Sequence, residues 1–255
     1  KKVWTNDDYV SANITLSSLK MIDPLSLPQK NSRKSGELFK RMLNEENLAF
    51  IHDTIFPLRT RAYTIQYYTQ FQTEMEQMKA SLAEVSGADS ISILMGIAGN
   101  AARRYFAGFG KMILGCFSFE GREKHPAPDP VNALLSFGYT LVFNEISSLL
   151  DGLGFDPYLG YFHSVEYGRA SLATDLVEEF RASVDRFTLF LINNRVFKEE
   201  DFYKNPKGEG VYLTRDALKV YFTHYERQLN RELTHPDTGE NTTLRKCFRF
   251  QAEKL

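Results

Sequence analysis

From Arg61 to Ala83 the chain contains neither glycine nor proline, and apolar side chains return through Ile65, Tyr68, Phe71, Met75 and Met78. A run of this length with helical spacing predicts an amphipathic helix that buries one face against other helices. Gly87 marks its end. Asp89 or Ser90 then caps a second helix carrying Ile93, Leu94, Ile97, Ala101 and Tyr105, and Gly108, Gly110 and Gly115 mark its fraying end. Several small residues in that segment imply close packing.

The stretch from Gly121 to Pro130 holds three prolines and reads as a solvent-facing loop. Asp129 followed by Pro130 is a start signal, a capping carboxylate with proline at the first helical position. The helix it opens runs to about Leu150, where Gly152 and Gly154 stop it. Ser171 opens another, with Leu172, Leu176, Phe180, Val184 and Phe187 on one side, and the last strong helix starts at Thr214 and carries Leu218, Tyr221, Tyr225 and Leu229. Lys198 to Gly210 reads as a polar connector. The expected fold class is mainly α.

The first sixty residues differ. Val10 to Leu16 alternates like a strand, and the segment from Pro24 to Gly36 reads as a loop. The expected division is a small N-terminal region over 1–60, part β and part linker, followed by a helical domain over 61–255. The chain does not begin with methionine, which reads as a processed or trimmed chain or the tail of a longer or fused polypeptide.

With 43% hydrophobic residues, 13 Tyr and 20 Phe, the chain has enough apolar surface for a sizeable core without disulfides. Cys116 and Cys247 lie too far apart for a zinc spacing, and a reducing cytoplasm is the default compartment. No run of about 18 uninterrupted apolar residues occurs, so no membrane span is expected. Basic and acidic residues number 31 and 32, so any nucleic-acid interface must be local.

His163, Asp175 and Glu178 form the sharpest constellation. On a helix starting at Ser171, Asp175, Glu178 and Glu179 are three or four residues apart and share a face at the edge of the apolar stripe. Imidazole and carboxylate donors suit Mg²⁺ or Mn²⁺ and phosphoryl chemistry. The alternative is structural: acidic residues early in a helix are favoured by its dipole, and a lone histidine is often simply hydrogen-bonded. Arg103 and Arg104 diverge by about 100° on a helix, so the two cannot both point to solvent along one line and one is a candidate to face a site; a guanidinium fork suits phosphate, or a neighbouring carboxylate. Arg33 and Lys34, Arg59 and Arg61, Arg227 and Arg231, and Arg245, Lys246 and Arg249 are further basic clusters, which track a phosphate backbone or form solvated faces. His52, His125, His224 and His235 show no mutual metal spacing.

Three motifs together resemble the CRISPR adaptation integrase, the Cas-one family: Leu94 to Phe106, containing Gly96, Gly99, Asn100, Arg103 and Arg104; Asp129 to Tyr139, containing Pro130, Asn132 and Gly138; and Gly154 to His163, continuing through Gly168, Arg169, Ser171, Leu172 and Asp175 to Arg181. Their order and spacing fit as well, and the likeness covers Ala62 to Leu233.

The resemblance implies a helical catalytic domain preceded by a small β-rich N-terminal domain, which the first sixty residues match poorly. That region is truncated, divergent or replaced in a fusion with another CRISPR protein. It also implies a Mg²⁺ or Mn²⁺ site built from a glutamate in the first motif, the histidine of the third and an acidic residue on the next helix. These fall at position 98, His163 and Glu178, with Asp175 as an acidic neighbour counted among the catalytic residues. Position 98 is Ala98. Because His163 and Glu178 are intact, Ala98 reads as a replaced glutamate, an engineered inactivation or else a natural loss.

The implied activity is that of a metal-dependent endonuclease and integrase. The 3′-hydroxyls of a double-stranded prespacer DNA attack phosphodiesters in the CRISPR repeat DNA, with Arg103, Arg104 and Arg169 as candidate phosphate contacts. The implied partners are a second copy of the chain and a dimer of the small Cas-two protein, in a prokaryotic cytoplasm. Two alternatives stand beside this: a non-catalytic architectural subunit of the adaptation complex, and a transposon-borne relative.

Overall fold

The computed structural model describes residues 72–123, 126–163, 167–206, 210–235 and 239–255. The strand-like Val10 to Leu16 run, the Pro24 to Gly36 loop, the clusters at Arg33/Lys34 and Arg59/Arg61, His52 and His125 lie outside the described residues. So does the first part of the Arg61 to Ala83 helix, whose described part is α1, Gln72–Val85.

Local signals set most boundaries. Helix α2, Ile91–Lys111, is capped by the Ser90 hydroxyl, which accepts from the Ile93 amide. Helix α3, Pro130–Leu153, starts where Asp129 Oδ1 accepts from the Asn132 amide at 2.8 Å, and ends at Gly154 with φ of 85°. Helix α4 spans Ser171–Asn193 with no side-chain cap of its own. Helix α5, Arg215–Leu229, is capped by Thr214 as expected.

Three expectations are corrected. Gly108 and Gly110 lie inside α2 rather than at a frayed end. At Gly110 a Cβ would sit a tight 3.1 Å from the Phe119 carbonyl, where the returning loop packs its ring on Phe106 and Phe109. The connector from Lys198 contains a 3₁₀ turn, Glu199–Asp201, and an antiparallel hairpin of β1, Phe202–Lys204, with β2, Val211–Leu213. After α5 the chain adds a second hairpin, β3, Glu232–Thr234, paired with β4, Asn241–Thr243, and another helix, α6, Leu244–Glu253.

The core is a helix stack. Helices α1 and α2 pack together, and α3 packs most extensively on α4, with α6 against α3. Gly138 permits the α3–α4 approach: a Cβ there would lie 2.6 Å from Val184 Cγ1 and 2.7 Å from the Tyr221 hydroxyl of α5. Tyr221 also meets Phe137, Phe187 and Tyr225. Helix α3 is long and apolar enough to cross a membrane by composition, but its Val131, Leu134, Leu135, Val142, Ile146 and Leu150 are buried in this core. Each such burial contributes about 1.5–3 kcal/mol, which accounts for an apolar helix at the centre of the fold.

Candidate phosphate and metal site

Four segments meet around a cavity of about 510 Å³. Helix α2 contributes Met95, Ala98, Gly99, Ala102, Arg103 and Phe106, residues at the three- and four-residue intervals that define one helix face. The loop before α3 contributes Glu120 and Arg122, the loop between α3 and α4 contributes Phe162 and His163, and α4 contributes Glu178 and Arg181. Ala98, His163 and Glu178, far apart in sequence, therefore line one cavity.

Asp175 does something else. It is fully buried and does not line the cavity. Its Oδ2 accepts from the amides of Tyr161 at 2.6 Å and Phe162 at 2.9 Å, and its Oδ1 accepts from the His163 amide at 3.0 Å. His163 Nδ1 lies 2.6 Å from the same Oδ1. A carboxylate beside Nδ1 keeps the proton on that nitrogen and presents Nε2 as the ligand-facing atom. Asp175 is thus a positioning residue, reaching from the start of α4 to fold the preceding loop around itself.

Gly160 makes that possible. A Cβ there would stand 2.6 Å from Ser171 Cβ and 2.8 Å from Asp175 Oδ2. The loop crosses the beginning of α4 at backbone contact distance, and the Pro157 carbonyl accepts from the Leu172 amide at 2.9 Å. Burial, and then the Asp175 charge, push the Tyr161 phenol above its ordinary pKa.

Glu178 faces the cavity but is already engaged, with its Oε1 2.6 Å from Arg181 Nε. Arg122 enters from a loop whose proline content suggests solvent exposure, yet its guanidinium is turned inward. NH1 donates to Asn132 Oδ1 and NH2 to Ser136 Oγ, each at 2.9 Å, and NH1 also reaches the Glu123 carbonyl. Arg122 and Arg181 lie 5.3 Å and 4.8 Å from the centre of the Tyr139 ring. Burial lowers the Arg122 pKa from its usual value, aided by the charge of Arg181 and opposed by Tyr139, Asp185 and Asp129.

The other expected phosphate contacts separate. Arg103 lines the cavity and donates to Asn100 Oδ1 at 3.1 Å, whereas Arg104 turns toward α1 and donates to the Gln77 carbonyl at 3.4 Å. Arg169 does not line the cavity. Glu179 does not either, and its charge acts on Cys247 of α6. Sequence reasoning missed Glu120, Arg122 and Arg181. Arg181 carried a signal, three residues beyond Glu178 on the same helix face, but Arg122 carried none, since its partners come from α3.

The residues present do not fit a divalent cation. Ala98 has no donor atom, Glu178 is paired with an arginine, and no group of three or more His, Cys, Asp or Glu side chains among the described residues could hold a metal ion. Hard cations need several oxygen donors around them.

The family model for the CRISPR associated protein Cas1 matches residues 48–227. The chain belongs to the Cas1 family. A Cas1 endonuclease from Thermus thermophilus is 40% identical over 182 residues, which is 71% of this chain and 54% of that protein. A Cas4 exonuclease/Cas1 endonuclease fusion from Geobacter sulfurreducens is 37% identical over 175 residues, covering 66% of this chain and 31% of the fusion. A chain in a solved partial Cas6–RT–Cas1–Cas2 complex superposes with a TM-score of 0.70 at 25% identity, covering 88% of this chain and 68% of its own. The chain spans about half the length of the Thermus Cas1 it matches. The mainly helical fold is the one a Cas1 chain is expected to have.

Proposed function

We propose that this chain is the helical, DNA-handling integrase part of a Cas1 protein in CRISPR spacer acquisition, and that Ala98 disables its strand-transfer chemistry. The observation that carries the reading is the convergence of Ala98, His163 and Glu178 on one cavity that also holds Arg103, Arg122 and Arg181. The reaction in this reading joins a prespacer 3′-hydroxyl to a phosphodiester of the CRISPR repeat, with the repeat's own 3′-oxygen leaving.

The chain's own groups have distinct tasks. The arginines draw the phosphate into the cavity and offset its charge. Asp175 holds His163 in one orientation. Phe106 and Phe162 supply apolar wall. A carboxylate at 98 would add a donor to the cavity that already holds His163 and Glu178, and would compete with Glu178 for Arg181. Mg²⁺ or Mn²⁺ is the expected cofactor of that restored set.

The reading extends to partners and organisation: residues 61–255 as the catalytic unit and 1–60 as a small N-terminal region, working as a homodimer with a Cas2 dimer on double-stranded prespacer and repeat DNA in a prokaryotic cytoplasm. The relatives named above support it, since one is fused to a Cas4 exonuclease and another sits in a complex with Cas2. Ala98 favours a second reading, in which the chain serves as a non-catalytic architectural subunit that binds DNA and partner without cutting.

The test is strand transfer of a labelled prespacer into a repeat-bearing plasmid with Mn²⁺ and Cas2. The chain as it stands and its Ala98→Glu variant are compared. The expected result is a gain of at least about tenfold in integration for Ala98→Glu, the scale on which metal-site groups act. Equal integration by both rules out the assignment of position 98; binding of DNA by both with integration by neither selects the architectural reading.

A further inference from the structure

The cavity carries more positive charge than a cation site accommodates. Three guanidinium groups, Arg103, Arg122 and Arg181, line it against two carboxylates, Glu120 and Glu178. Glu178 is already paired with Arg181 at 2.6 Å. The acceptors that hold Arg122 among the described residues are neutral: Asn132 Oδ1, Ser136 Oγ and the Glu123 carbonyl. Its Nε is buried with no hydrogen-bond partner among the described residues. Arg122 is a partly buried cation whose hydrogen bonds go to neutral acceptors, with Asp185 and Asp129 acting on it through space and a second cation, Arg181, on the same Tyr139 ring. A guanidinium hydrogen-bonded only to neutral acceptors at a cavity wall gains a charge-assisted contact when an anion enters.

The fork is also preorganised. Asn132 is fixed by Asp129, whose Oδ2 accepts from Asn132 Nδ2 at 2.7 Å, and by the Gly121 carbonyl at 2.9 Å. The cap of α3 therefore sets the acceptor that orients Arg122. Little rotamer freedom remains to be lost when a ligand binds. The cavity volume lies in the range of small-ligand pockets and suits a phosphate with its flanking sugars rather than an isolated ion.

We propose that this pocket seats a DNA phosphodiester through Arg122, Arg181 and Arg103 without a divalent cation, the guanidinium groups supplying the counter-charge that a site with Ala98 does not collect from metal. The inference rests on the reading of the chain as a DNA-handling protein and adds how this particular site holds its phosphate. Alanine at 98 then has two effects: it offers no metal donor, and it places no negative charge where one would oppose the phosphate. DNA binding at this site and strand transfer become separable.

Fluorescence anisotropy of labelled hexathymidine on the full chain tests this, in EDTA and in Mn²⁺. The chain as it stands binds within about twofold under the two conditions. Arg122→Met and Arg103→Ala each weaken binding roughly fivefold to tenfold and flatten the salt dependence by about 0.7 in the log–log slope. Ala98→Glu binds about tenfold more weakly in EDTA and recovers with Mn²⁺. Arg103 is exposed, so its variant reports on the pocket even where Arg122→Met perturbs folding. A tenfold weakening of the unaltered chain by EDTA, or unchanged affinity in both arginine variants, overturns the proposal while leaving the DNA-handling reading intact. Failure of the unaltered chain to bind hexathymidine overturns the proposal, and failure to bind double-stranded prespacer DNA as well overturns both.

Discussion

Arg122 and Arg245 are both arginines held by groups from α3, and they have opposite surroundings. Arg245, at the start of α6, donates from Nε to Glu145 Oε2 at 2.9 Å and from NH2 to Glu226 Oε1 at 2.8 Å, tying α3, α5 and α6 together. Those two carboxylates raise its pKa still further, and its charge is used up inside the fold. Arg122 meets neutral acceptors and a second cation, and its charge faces a cavity. One is a clip and the other is a receptor. Partner charge, rather than the presence of basic residues in sequence, separates them.

That contrast can be broken most severely from the pocket side. Asp175→Ala removes the acceptor for three backbone amides and the His163 ring, and buried donors left without partners cost about 3–5 kcal/mol in total. Chemical denaturation should show that loss together with a collapsed His163 environment in NMR. A change under about 1 kcal/mol would mean that the loop does not depend on Asp175.

The two arginines should then respond oppositely. Arg245→Met leaves Glu145 and Glu226 facing each other's charge across the α3–α5 contact and destabilises by about 1–2 kcal/mol, with hexathymidine affinity unchanged. Arg122→Met removes a partly buried cation that hydrogen-bonds only neutral acceptors, so stability changes by less than about 1 kcal/mol while affinity falls. Thermal unfolding and anisotropy on both variants check this, and identical behaviour of the pair would erase the distinction.

The smallest effect concerns pH. Hydrogen bonding to Arg245 holds Glu226 below the usual glutamate pKa. Its contribution is present above the unfolded value and is lost as pH falls through the lower folded one. The side chain is more than half exposed, so after solvent screening the contribution is at most about 0.5 kcal/mol. Glu226→Gln should show a slightly smaller loss of stability between neutral pH and pH about 3 than the unaltered chain, measured by denaturant midpoint.

The same contrast marks what sequence reading reaches. Ser90, Asp129 and Thr214 cap helices because a cap is a local event, written within four residues. Ala98, His163 and Glu178 were picked out together through motif resemblance, and the fold brings them to one cavity. Arg122 escaped because its neighbours, Asn132, Ser136 and Tyr139, lie on the next helix, ten to seventeen positions on, and its own loop reads as solvent-facing. Arg245 reads in sequence only as part of a basic cluster, phosphate-tracking or solvated, because its two glutamates sit 100 and 19 positions away in the chain. Helix α6 and both hairpins were missed, the hairpins because strands of three residues leave too short an alternation to register.

The central claim is that position 98 decides whether this cavity holds a divalent cation. Calorimetric titration of Mn²⁺ into the chain and into Ala98→Glu measures it directly. The account predicts no saturable site in the chain as it stands and one in Ala98→Glu that disappears on adding His163→Ala. A stoichiometric Mn²⁺ site in the unaltered chain, abolished by His163→Ala, would contradict it.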